Sequence, residues 1–256
     1  MSGRWTAILL AGQRPGENQL AAGFGVALKP LIPVAGRAMV ARVAAMLGAC
    51  PEVGRIVVLS QAPEAIAAAL PENPAIAVKP SGDGIARSIA AIAGGPDAPW
   101  PVLVTTADHV LLTAETVAAF LDQGEGCDVA FAMVERRTVL ARFPGTRRTW
   151  LRFAGGAYTG ANLFALNRPA AAAALALWSD IETDRKKGWR LIARFGPMLL
   201  LRALTRTISL RGAIERAGAR LGLVVKPVIL DDARAAVDVD KPDDHALATA
   251  VLEGRA

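Results

Sequence analysis

Short apolar runs recur through the first half of the chain at 6–11, 55–60, 75–78, 102–106 and 128–134. Between them, at 39–47, 63–70, 85–93 and 114–121, the apolar residues lie in helical stretches instead. Strand–helix alternation at this spacing builds βαβ units. The pattern therefore predicts an α/β fold: a mainly parallel mixed sheet flanked by helices. In such sheets ligands sit beyond the carboxyl ends of the strands, so chemistry is expected where each apolar run gives way to polar sequence.

The pattern changes after Asn167. An Ala-rich helix is predicted at 170–178, and across 184–207 apolar residues (Trp189, Leu191, Ile192, Phe195, Met198 to Leu201) interleave with basic ones. Pro197 divides any helix there into two pieces. A further helix is predicted from Ser209, as N-cap, through Ile214 towards Leu221. Sheet-like sequence returns at 223–230 and 236–240. The last helix begins near Pro242, a residue suited to a first turn, where Asp243 and Asp244 complement the helix dipole. The chain reads as a single domain, 1–256, with a helical insertion near 180–222. It has no internal repeat and no flexible linker.

Composition narrows the classes. Of 256 residues, 53% are hydrophobic and 20% charged, a globular balance with material for one large core. Cys50 and Cys127 are far apart and each stands alone, which argues against a disulfide scaffold or a Cys-based metal site and fits a reducing compartment. The apolar stretch near the N-terminus is too short for a signal peptide, and no run of about 18 apolar residues offers a spanning helix. A cytoplasmic location is expected. The net charge of +6 is unevenly spread. Residues 185–220 hold ten Lys/Arg against one acid, Glu215, and residues 136–152 hold six Arg and no acid. Two segments thus carry all the excess positive charge, and a phosphate-bearing partner or an anionic surface is implied.

Strand one ends in Leu10-Ala11-Gly12-Gln13-Arg14-Pro15-Gly16, and Lys29-Pro30-Leu31 follows a loop containing Gly23 and Gly25. A glycine loop directly after a first strand lets backbone N–H groups approach phosphates, with Arg14 and Lys29 adding charge. The run Leu103-Val104-Thr105-Thr106-Ala107-Asp108-His109 places a carboxylate at the end of an apolar strand, where it faces the ligand crevice or is costly to bury. A second carboxylate pair follows the last strand, Asp238-Val239-Asp240. Strand alternation puts both on one face, opposite Val237 and Val239. With Asp108 they could hold Mg²⁺, which takes one or two carboxylates and completes its shell with phosphates and water. Asp238 is the favoured ligand, since Asp240 also suits a helix N-cap. His109 lacks the His or Cys neighbours that zinc requires, and neither histidine has a Ser or Cys partner for a hydrolase triad.

Taken in order, Leu10-Ala11-Gly12-x-Arg14-x-Gly16, Lys29-Pro30-Leu31, Thr106-Ala107-Asp108-His109 and Asp238-Val239-Asp240-Lys241-Pro242-Asp243-Asp244 resemble the MobA-like nucleotidyltransferases, a superfamily that includes the sugar-phosphate, molybdenum-cofactor and methylerythritol-phosphate nucleotidyltransferases. The resemblance implies a Rossmann-like, GT-A-type fold. It implies that Leu10, Ala11, Gly12 and Gln13 wrap the triphosphate, that Lys29 and Arg14 neutralise it, and that Asp108 with Asp238 binds Mg²⁺. Ser81, Gly82 and Gly84, with Arg87 and Ser88, match the family's base- and ribose-binding loop, and Gly160 and Asn162 fall where many members contact the acceptor. This chain departs from the family in three places: its usual glycine pair is Gly12-Gln13, the loop to Lys29 is long, and the insertion near 180–222 is unlike the short-loop members.

The expected reaction is transfer of NMP from an NTP, CTP or GTP, to a phosphate-bearing small acceptor (a sugar, polyol or lipid-precursor phosphate), with pyrophosphate released. A glycosyltransferase of the same architecture, using Asp108 for the metal of a nucleotide sugar, is the principal alternative. Nucleic-acid binding fits the high pI but not the aromatic content, with one Tyr and seven Phe and no aromatic–basic motif. Segment 184–207 reads either as an element lying on an anionic membrane, at its inner face, or as a helical cap or homodimer interface.

Overall fold

The computed structural model describes residues 4–13, 16, 18–183 and 196–256. In chain order the elements are β1 (Trp5–Leu10), α1 (Gln19–Gly23), β2 (Pro33–Val34), β3 (Arg37–Ala38), α2 (Met39–Gly48), β4 (Val53–Ser60), α3 (Pro63–Ala68), β5 (Ile76–Pro80), α4 (Ile85–Ala90), β6 (Val102–Thr106) and α5 (Ala114–Gln123). There follow β7 (Val129–Glu135), α6 (Arg136–Arg142), β8 (Leu151–Phe153), β9 (Gly156–Leu166), α7 (Ala172–Thr183), α8 (Pro197–Leu204), α9 (Leu210–Arg220), β10 (Val225–Leu230) and α10 (Pro242–Leu252).

The main sheet has the order β10-β7-β9-β6-β1-β4-β5, with β8 added against β9. β5, β4, β1 and β6 run parallel, as do β7 and β10, and β9 lies antiparallel between β6 and β7. This is the α/β architecture that the pattern predicts. Alternate residues of β1 divide between two cores: Ala7 and Leu9 pack with α2 and α5 on one face, Ile8 with α4 and α7 on the other. Burial on both faces is why β1, β4 and β6 read as continuous apolar runs rather than alternating ones.

The structure departs from the expected elements in three places. Residues 156–166, which show no strand signal, form the longest strand of the sheet. Its buried positions do alternate, Thr159, Ala161, Leu163 and Ala165, but small side chains and two glycines mute the apolar contrast. Residues 136–142 are helical where no helix was expected. The expected strand at 236–240 is not one: a short 3₁₀ turn, Ala233–Ala236, leads into an unpaired segment. Val237 and Val239 are nonetheless buried and Asp240 is exposed, so the alternation survives without the sheet.

Within the proposed insertion the described elements are the end of α7, α8 and α9. The residues between α7 and Gly196, including Trp189 and Phe195, lie outside the described residues. Both cysteines are buried free thiols. Among the described residues no helix is long and apolar enough to cross a membrane.

Leu163 is completely buried between two strands of opposite direction. Leu163→Ala is expected to destabilise the fold by about 2–5 kcal/mol, read as a lower urea midpoint at unchanged slope.

Candidate active site

The parallel strands deliver their carboxyl ends to one edge, and backbone bonds continue the ladder beyond them. Ala11 N donates to Leu59 O (2.8 Å), Ala107 N to Leu10 O (2.9 Å) and Ser81 N to Ser60 O (2.8 Å). The loops carrying Gly12, Ser81 and Asp108 are thereby held side by side.

Gln61, one residue past β4, grips the first of these loops. Its Oε1 accepts from Gln13 N (3.2 Å) and its Nε2 donates to Gln13 O (3.3 Å). A Cβ on Gly12 would lie 2.8 Å from Gln61 Oε1, so glycine is what lets the amide pack against the loop. The side chain of Gln13 in turn accepts from Lys29 N (3.0 Å). The residue that replaces the family's second glycine is therefore a strut between the loop and the lysine.

The Lys29 ammonium donates to Asp108 Oδ2 (2.5 Å) and to Asp240 Oδ1. Burial works against its charge, but the two carboxylates outweigh that and hold its pKa above the usual lysine value. Thr106 Oγ1 donates to the other oxygen of Asp108 (2.6 Å), and Val239 N donates to Asp108 O (3.1 Å), docking the C-terminal carboxylate segment beside β6. Asp240 is not the helix cap that it could have been: Asp244 Oδ2 accepts from Asp240 N (3.3 Å) and Lys241 N (3.1 Å), closing the first turn of α10. His109 is fully buried with Nε2 against Ala235 O (2.7 Å), and burial lowers its pKa. It braces this corner in its neutral form.

Asp238 belongs to a neighbouring cluster. Arg148 donates to its Oδ1 and to its backbone oxygen (3.3 Å), and also faces Asp244 (3.6 Å). Asn162 Nδ2 lies 3.4 Å from Asp238 Oδ2. That reach depends on a bulge: β9 spends extra residues between Gly160 and Phe164 against β7, and Asn162 takes a left-handed backbone with φ of 45°. Bulges of this kind re-aim side chains beside functional sites, and asparagine tolerates the conformation. Gly160 is exposed on the same strand.

At the other flank, Ser88 Oγ donates to Gly84 O (2.7 Å) and Gly82 O (3.3 Å), folding the 81–88 loop on itself. Glu182 of α7 accepts from Ala86 N (3.0 Å), and Arg87 Nε donates to Ser179 Oγ (3.3 Å), so α7 clamps the loop. Ser81 Oγ is buried without a hydrogen-bond partner among the described residues. Arg14 lies outside the described residues. The structure thus brings Leu10, Ala11, Gly12, Gln13, Lys29, Asp108, Asp238 and Asp240 to one edge. The sequence reading missed Gln61, Arg148 and Glu182; each acts across a long stretch of chain, and none sits in a recognisable motif.

The model of the MobA-like NTP transferase domain matches residues 7–205. The chain belongs to that family. A hypothetical transferase from Thermus thermophilus is 30% identical, the match covering 94% of this chain and 99% of the other, with a TM-score of 0.76. Two more distant structures share the fold of this MobA-like protein. One is 4-diphosphocytidyl-2C-methyl-D-erythritol synthase from Anaerococcus prevotii DSM 20548, at 11% identity, 98% and 97% coverage and a TM-score of 0.59. The other is Rv0371C of Mycobacterium tuberculosis H37Rv in complex with manganese, at 16% identity, 97% and 99% coverage and a TM-score of 0.53. No curated protein sequence matches the chain.

If Gly12 and Gln61 of this MobA-like domain serve one contact, their effects will not add. Gly12→Ala and Gln61→Ala should each weaken NTP binding by about tenfold, and the double variant by little more than either, measured by calorimetric titration.

Proposed function

We propose that this transferase moves the NMP half of an NTP, CTP or GTP, onto a phosphate-bearing small acceptor such as a sugar, polyol or lipid-precursor phosphate, releasing pyrophosphate. The observation that carries this reading is the convergence of Lys29 with Asp108 and Asp240 beside the Gly12–Gln13 loop. Around this point four carboxylates, Asp108, Asp238, Asp240 and Asp244, face two described cationic side chains, Lys29 and Arg148. Such a surplus of negative charge repels a triphosphate unless further cations arrive with it.

The donor set fits Mg²⁺. Two carboxylate oxygens, from Asp108 and Asp240, already surround one cation, the Lys29 ammonium. That suits an ion which takes one or two carboxylates and fills its shell with phosphates and water. In this proposal Asp108 and Asp240 hold the ion, while Asp238 keeps Arg148 in place. Bound there, Mg²⁺ would neutralise charge on the phosphates.

The chain's own groups do the rest. The loop from Leu10 to Gln13, held by Gln61, wraps the triphosphate, and Arg14 joins Lys29 in neutralising it. Ser81, Gly82 and Gly84 read the base, with the Ser81 hydroxyl free to bond it, and Arg87 and Ser88 support the ribose side. Gly160 and Asn162 border the acceptor. An acceptor phosphate oxygen attacks the α-phosphorus, the bond to the β-phosphate breaks, and pyrophosphate leaves with the electron pair. Such transfer needs positioning and charge neutralisation and no covalent nucleophile.

Asp108→Ala and Lys29→Ala are each expected to lower pyrophosphate release by about 10²–10³-fold without unfolding the protein. The assay pairs each common NTP with a panel of sugar, polyol and lipid-precursor phosphates. Undiminished release from Asp108→Ala would overturn the assignment.

A further inference from the structure

Helix α8 carries an apolar stripe that no described residue covers. Met198, Leu201 and Leu204, one turn apart on one face, are 67%, 54% and 73% exposed. Arg202 borders the stripe on the same helix, and the exposed Arg206 and Arg211 follow it. The segment also touches the second basic stretch. Ala154 N, in the turn between β8 and β9, donates to Ile208 O (2.9 Å), which ties the connection between α8 and α9 to a hairpin carrying the exposed Leu151 and Arg152. This hydrogen bond, two residues beyond the end of the 136–152 segment, brings the two basic segments together, and each carries an exposed leucine beside arginine.

We infer that this face docks on the surface of an anionic lipid leaflet, with Met198, Leu201 and Leu204 entering the headgroup boundary and Arg202, Arg206 and Arg152 meeting lipid phosphates. Charge selects the occupant. A second copy in a two-fold dimer would set Arg202, Arg206 and Arg211 against their own counterparts, a repulsive pairing. A nucleic acid would satisfy the arginines, but 196–220 contains no Phe, Tyr or Trp on which bases could stack. A leaflet satisfies both the apolar stripe and the charge. Since no described helix can span a bilayer, the contact is one of surface.

The test is flotation of the full chain with vesicles of phosphatidylcholine alone, or of phosphatidylcholine with phosphatidylglycerol. The protein should float with the anionic vesicles and stay behind with the neutral ones. Binding should fall by about tenfold or more in the variant Met198→Ser/Leu201→Ser/Leu204→Ser, and likewise in Arg202→Glu/Arg206→Glu. Both variants alter exposed or flanking positions away from the nucleotide site, and retained NTP binding will show that they are folded. Equal flotation with both vesicle types, no flotation, or a lipid-free dimer abolished by the serine variant would each overturn the inference. Flotation is scored without turnover, so its failure leaves the nucleotidyltransferase reading untouched.

Discussion

An ammonium group that is largely withdrawn from water must find counter-charge, and Lys29 finds it in Asp108 and Asp240, two carboxylates from distant parts of the chain. This contact fixes the relation of three segments that share little else. The loop after β1 is held to Lys29 through Gln13, the end of β6 through Asp108, and the segment before α10 through Asp240. Each anchor has its own brace: Gln61 for the loop, Thr106 for Asp108, and Asp244 for the backbone of Asp240. The parallel sheet brings these pieces to one edge, and the ion cluster sets their separation.

The sheet was readable because its inner strands are buried on both faces and so appear as uninterrupted apolar runs. β1, β4 and β6 fall within a residue or two of where those runs lie. β9 escaped notice because its core-facing side, Thr159, Ala161, Leu163 and Ala165, holds one large apolar residue among small ones, with glycines interspersed. The motif residues were legible for a related reason: Gly12, Lys29 and Asp108 each sit where an apolar run stops. Gln61, Arg148 and Glu182 were not. Their partners lie 48, 90 and 96 residues away, and nothing local marks a glutamine, an arginine in an arginine-rich stretch or one helical glutamate as special. Asp238 and Asp240 show the limit most clearly. Alternation placed them on one side of the segment, yet only the tertiary fold gives one to Arg148 and the other to Lys29.

Charge has a similar history. Two basic stretches separated by over thirty residues read as independent features of the sequence. The hydrogen bond from Ala154 to Ile208 makes them neighbours, at the side of the sheet where β9 has reversed direction. The antiparallel strand that carries Gly160 and Asn162 towards the site therefore belongs to the same hairpin that meets the basic face.

The 211-residue separation between Lys29 and Asp240 also has a consequence in time. At ribosomal speeds of about 5–20 residues per second, roughly 10–40 s pass between synthesis of the lysine and of its second carboxylate. Once β6 has been made, well before Asp240, β1, β4, β5 and β6 can pair, while Lys29 and the loop it holds through Gln13 lack part of their counter-charge. A nascent chain of this protein can thus hold most of its sheet before it holds a finished ion cluster, and the edge that Lys29 organises is complete only as the last segment docks.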